Sequence, residues 1–179
     1  MLARQGAWLA SQISAVVYNL PMVRTKKIPI KALDQRIITF FKKTYIPLAR
    51  IALFIVFFWF GFIKLTGMSP ASPLAEALTV RTVGPALFEP LFIGLAFIEC
   101  LIGLLFLIPK AVRLVIPLLL LHMVLVSAPL VLVPELTWHA PFVPTLEGQY
   151  IIKNVAIVAL AFGVAAHTEP LRFQKKGTT

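Results

Sequence analysis

The chain has 179 residues, of which 59% are hydrophobic and 13% charged, and its mean hydropathy is +0.91. An ordinary globular domain is about 45–50% apolar, so this composition excludes a soluble enzyme, a disordered tail and a nucleic-acid module. The net charge of +10 would direct a soluble protein to a polyanion, but in a membrane protein it records which loops face the cytoplasm, and a single cysteine, Cys100, excludes a disulfide relay within the chain.

Residues 1–44 read as a basic cytoplasmic extension. The stretch Ala7 to Leu20 mixes Ser, Gln and Asn into a weakly apolar run too short and too polar to span a bilayer. No small-x-small cleavage site follows an apolar core, so the segment is expected to be retained. Downstream, Ile30, Leu33, Ile37, Phe40 and Phe41 fall at helical spacing, with Lys31, Asp34, Lys42 and Lys43 elsewhere on the wheel. This pattern predicts a basic amphipathic helix lying along the inner leaflet and running into the first span, with anionic lipids as its partner and a docked protein as the alternative.

Crossing roughly 30 Å of hydrocarbon takes about 20 mainly apolar residues, and four runs qualify. They cover 45–63, 87–108, 114–133 and 150–167. Their interiors are rich in Leu, Ile, Val, Phe and Ala without alternation, which favours helices over barrel strands. The predicted fold class is therefore all-α: a polytopic four-transmembrane-helix bundle over 45–167, preceded by the basic amphipathic helix and followed by a basic cytoplasmic tail at 168–179. Pro109 to Arg113 is a link short enough to force the second and third spans into an antiparallel hairpin. Leu65 to Ala86 and Pro134 to Gln149 read as long loops on the opposite side. Fourteen of the 17 basic residues fall on the side of the termini and the short link, leaving Lys64, Arg81 and Lys153 on the other. The positive-inside rule then places both termini in the cytoplasm, as expected for a bacterial inner-membrane protein.

The ionisable residues inside the spans are few. Glu99 lies near the middle of the second span, where a carboxyl is costly, by about 2.5–3.5 kcal/mol on insertion scales. At 1.5 Å per residue it sits roughly 15 Å from the inner end of its helix, and His122 roughly 13 Å from the inner end of the third. The two are expected to face each other or share one polar cavity, either as a structural hydrogen bond or as a proton-handling or ligand-anchoring site. Ala96 and Gly103 on the Glu99 face allow a neighbouring backbone to approach closely. Arg50, about 8 Å into the first span, is placed to reach lipid phosphates, with a turn inward to Glu99 as the alternative. Lys64 and Lys153 mark the outer ends of spans one and four, and Lys153, followed by Asn154, either anchors at the interface or lines an outer pocket. Trp59, Trp138 and Tyr150 fit an aromatic belt. No metal site is expected. Haem ligation by two histidines fails, because His139 lies in a loop and His167 at the far inner end of span four.

Three segments together resemble the DoxX/DoxD-like family of small four-helix bacterial membrane proteins. They are Phe-Gly-Phe-Ile-Lys-Leu at Phe60 to Leu65, Ile-Glu-Cys-Leu-Ile-Gly-Leu-Leu at Ile98 to Leu105, and Glu-Gly-Gln-Tyr-Ile-Ile-Lys-Asn at Glu147 to Asn154. The resemblance covers about Tyr45 to Ala166 and implies an accessory membrane subunit of quinone-linked redox chemistry or oxidative-stress resistance. It places Lys64, Glu99 and Lys153 at the family's polar landmarks. No cofactor motif is present, so a quinone is the cofactor in view and its electrons would come from a partner protein or another subunit. The alternative is a non-catalytic scaffold or assembly factor, as a monomer or homo-oligomer. A transporter is a weaker third reading, because four helices with one or two buried polar groups offer little for alternating access unless the chain dimerises.

Overall fold

The structure, a computed structural model, describes residues 30–169. The expectations for the retained extension at 1–29 and for the basic tail beyond Glu169 lie outside the described residues. The chain divides into units of residues 1–39 and 40–179. Of the first, the described part is the opening of helix α1, where Ile30, Leu33 and Ile37 are exposed.

Helix α1 spans Ile30–Leu65, so the amphipathic stretch and the first apolar stretch form one helix that continues through Pro47. It ends in a turn in which the Gly67 amide donates to the Lys64 carbonyl. The 65–86 segment, expected as a loop, contains helix α2 at Ser72–Thr82, with Pro73 in its first turn, where a missing amide hydrogen costs nothing. A short 3-10 turn at Pro85–Leu87 opens α3, Phe88–Leu107. The link to the next helix is a second 3-10 turn, Pro109–Ala111, too short for anything but an antiparallel neighbour. The third apolar run is not one helix: α4 covers Val112–Ser127 and a separate turn, α5, covers Pro129–Leu132. A further short helix α6 at Pro134–Thr137 leads into a two-stranded hairpin, β1 Trp138–Ala140 and β2 Val143–Pro144, and helix α7 at Leu146–Ala166 completes the described chain. Four stretches are long and apolar enough to cross a membrane: Ile30–Leu65, Pro85–Leu107, Pro109–Leu132 and Leu146–Ala166.

Helices α1, α3, α4 and α7 share one buried core. It is built from Ala49, Leu53 and Phe57, from Ile102 and Phe106, from Val112, Val115, Leu119 and Met123, and from Ala161 and Val164. Most of these residues lie toward the end of the bundle that carries the Pro109–Ala111 link, called here the link end. At the opposite end, α2, α5, α6 and the hairpin form a cap, with α2 packed on α3 and α5. Arg81 of α2 pairs with Glu135 of α6 at 2.7 Å across the surface of this cap.

Thr145 fastens the cap to α7. Its hydroxyl accepts from the Gly148 amide as an N-cap and donates to the Leu136 carbonyl, while its own amide donates to the Thr137 carbonyl. The indole of Trp138 donates to the Leu130 carbonyl at 2.9 Å and is half-buried. At the hairpin tip Ala140 pairs with Val143, so Pro141 and Phe142 make the turn. Phe142 has φ 62°, a left-handed conformation that costs a side-chain-bearing residue about 1–2 kcal/mol relative to glycine. Proline followed by a residue of positive φ is the arrangement of a type II turn, in which glycine is the relaxed choice for the second position.

Candidate functional site

Two glycines set the distance between α1 and α3. A Cβ at Gly61 would fall 2.7 Å from the Ala96 carbonyl oxygen and 2.8 Å from Cys100 Sγ; one at Gly103 would fall 2.8 Å from the Phe58 amide nitrogen. The backbones therefore touch at both positions, and only hydrogen fits there. The pairing is antiparallel: Gly61 lies opposite Ala96 and Cys100, Phe58 opposite Gly103, and Arg50 opposite Phe106.

That register brings Lys64 and Glu99 together. In antiparallel helices each Cα–Cβ bond tilts toward its own N-terminus, so a lysine near the end of α1 leans back toward the link end while Glu99 leans toward the cap. The Lys64 stem closes the remaining offset, and Nζ reaches Glu99 Oε2 at 2.5 Å. The second carboxylate oxygen, Oε1, lies 3.4 Å from His122 Nε2 on α4. All three side chains are buried: Lys64 is 9% exposed and Glu99 7%, with His122 at 3%. The imidazole meets the Phe57 ring edge-on, with centroids 5.7 Å apart. Its other nitrogen, Nδ1, is buried with no hydrogen-bond partner.

The energetics follow from burial. Charges taken out of water lose several kcal/mol of solvation each, and close contact with the opposite charge offsets that loss only while both partners remain. Lys64 supplies the counter-charge and the donated hydrogen bond for Glu99, and charge assistance makes such bonds roughly twice as strong as neutral ones. The 3.4 Å separation to His122 exceeds a normal N–H···O hydrogen bond of about 2.7–3.2 Å, so the imidazole interacts with the carboxylate chiefly through its field. Cys100, next in sequence, also faces α1, where its thiol donates to the Phe58 carbonyl at 3.7 Å.

The remaining candidates lie elsewhere. Arg50 does not turn to Glu99: its Nη1 donates to the Phe106 carbonyl at 3.0 Å. That carbonyl is among the last four of α3, which have no partner within the helix, and a cation is favoured at this end of the helix dipole. Lys153 is exposed, its Nζ 5.1 Å from the centre of the Tyr150 ring, and Asn154 is half-buried beside it; neither is a polar contact of Glu99. Among the described residues no group of three or more His, Cys, Asp or Glu side chains is placed to hold a metal ion.

What sequence reasoning missed is the partnership of Lys64 with Glu99. The signal was present in the two glycines, which fix the α1–α3 register once they are read as facing a neighbouring backbone. The cluster offers a carboxylate, an ammonium and an imidazole in one buried shell, with one imidazole nitrogen free to bond. No family model, curated protein or solved structure matches the chain.

Proposed function

We propose that the chain is a multi-pass membrane protein of the DoxX/DoxD-like kind, an accessory subunit of a quinone-linked or oxidant-responsive redox system, with Lys64, Glu99 and His122 as its proton-handling site. The four apolar helices support the membrane reading, and the distribution of basic residues supports a cytoplasmic link end in a bacterial inner membrane. The observation that carries the functional reading is the free, buried Nδ1 of His122 beside an ion-paired carboxylate. A quinone needs an apolar slot and a hydrogen-bonding group able to give or take a proton, and the imidazole is a candidate for the second, set among apolar side chains that would have to part to admit the ring. A single cysteine permits no dithiol relay within the chain, so under this reading the electrons would come from a partner.

A second reading has its own observation. Protein groups approach both Glu99 oxygens, and the glycine contacts leave no space between α1 and α3, so the cluster also suits a scaffold in which it locks three helices.

One set of variants separates the two. The combined Lys64→Met, Glu99→Leu and His122→Leu substitution removes all charge at similar volume, a change that buried ion clusters often tolerate. The variant is expected to accumulate in membranes and keep its melting temperature while quinone-dependent oxidation by those membranes is lost. Full retention of that oxidation rejects the redox reading and leaves the scaffold.

A further inference from the structure

The hairpin between α6 and α7 contains a contradiction that the fold does not require. Its turn, Ala140-Pro141-Phe142-Val143, needs a positive φ at its third position, which glycine would take without strain. The sequence places a phenylalanine there, and that ring is 95% exposed. A bulky apolar residue held in an unfavourable backbone region, with no contact to repay it inside the protein, is a feature more often tied to interaction than to folding.

The surroundings indicate what the ring meets. Leu136–Leu146 contains no Asp, Glu, Lys or Arg and is bounded by Glu135 and Glu147. Val143, Leu146 and Tyr150 are exposed, and Leu146 and Tyr150, four residues apart, lie on one face of α7. The tip therefore continues the exposed apolar face of a helix long enough to span a membrane. Thr145 ties the hairpin to the start of that helix through the Leu136 and Thr137 carbonyls, so the tip cannot leave the helix end. An uncharged, aromatic segment fixed at the end of a span suits the boundary between lipid headgroups and acyl chains, where amphipathic and aromatic groups collect.

We infer that Phe142 is a wedge that inserts into the lipid interface beside α7 and fixes the cap against the bilayer. The inference rests on the membrane-spanning part of the proposed function and is independent of the quinone site.

The test uses the full chain reconstituted in lipid nanodiscs, with Cys100→Ala as background and a single bimane-labelled cysteine in place of Phe142, Glu76 or Val155. Glu76 is an exposed position on α2, and Val155 an exposed position within α7. Emission is measured with a lipid-borne nitroxide quencher and with aqueous iodide. The label at 142 is expected to be quenched several-fold more by the lipid quencher than the label at 76, and several-fold less by iodide. If iodide quenches 142 as strongly as 76 while the label at 155 responds only to the lipid quencher, the wedge is overturned and the membrane span stands; a tip bound to a soluble partner in the cell gives this same result. If 155 is also open to iodide, both the span and the wedge fail. Phe142→Gly in nanodiscs supplies an independent readout: it relaxes the turn but removes the anchor, and it is expected to lower the melting temperature relative to the parent. A rise overturns the wedge.

Discussion

The two ends of the bundle are stabilised by different physics. Toward the link end, Leu53, Ile102, Phe106, Val115 and Leu119 are almost wholly excluded from the surface, and Arg50, part-buried beside them, donates to a helix-end carbonyl. Toward the cap, the buried positions include Glu99, His122, Thr137 and Thr145, each of which must find a polar partner. At the link end a lost contact costs packing, which neighbouring side chains recover only in part. At the cap end the cost is of another kind, because a buried polar group stripped of its partner keeps its full desolvation penalty rather than losing one net hydrogen bond.

The largest effect should therefore come from breaking the ion pair on one side only. Lys64→Met leaves Glu99 buried without a counter-charge and is expected to cost about 3–5 kcal/mol. Adding Glu99→Leu should recover most of that loss, and denaturant unfolding in mild detergent of the single and double variants measures both. A double variant no more stable than the single would mean that the packing around the site, and not its charge balance, holds this end together.

Next in size is a cavity at the link end. Leu119→Ala, at a site with no exposed surface, is expected to cost about 3 kcal/mol, within the range found for buried Leu→Ala changes. In a membrane this loss reflects packing contacts and not transfer from water, so the comparison with Lys64→Met weighs dispersion against electrostatics directly.

Arg50→Met tests a part-buried polar contact of the link end. It removes a charged donor from the Phe106 carbonyl and is expected to cost about 1.5–2 kcal/mol, since bonds to charged groups are worth about 1.5–3. An effect near zero would show that the guanidinium is equally well satisfied by water or lipid phosphate, as the sequence alone suggested.

How much of this contrast was legible beforehand depends on which physical signal carried it. The apolar runs disclosed the four long helices, because membrane-length hydrophobicity survives uncertainty in the boundaries. Counting residues from the short link placed Glu99 and His122 at similar depth, and the structure sets their polar atoms 3.4 Å apart. The sequence alone makes Lys64 an end-of-span cation, because nothing in a one-dimensional count reveals that the stem folds back along its helix; that needs the α1–α3 register. Helix α2 was hidden by Pro70 and Pro73 and by its weak amphipathic pattern. The hairpin was hidden because its turn lacks the glycine by which such turns are recognised.

The smallest expected effect sharpens the boundary between the two regimes. Arg81 and Glu135 also form an ion pair at the cap end, at a distance close to that of Lys64 and Glu99, but their side chains are 56% and 55% exposed. Water and salt screen such a pair, and the entropy of fixing two long side chains offsets much of its attraction, so Arg81→Gln should cost under about 1 kcal/mol and less as ionic strength rises. Thermal melts at low and high salt measure this against Lys64→Met, whose loss should change little with salt because its partner is buried. If the two variants lose stability equally, or share the same salt dependence, burial is not what distinguishes the pairs. The cap would then be as closed to solvent as the bundle, and the 9% exposure of the Lys64 side chain would no longer explain its importance.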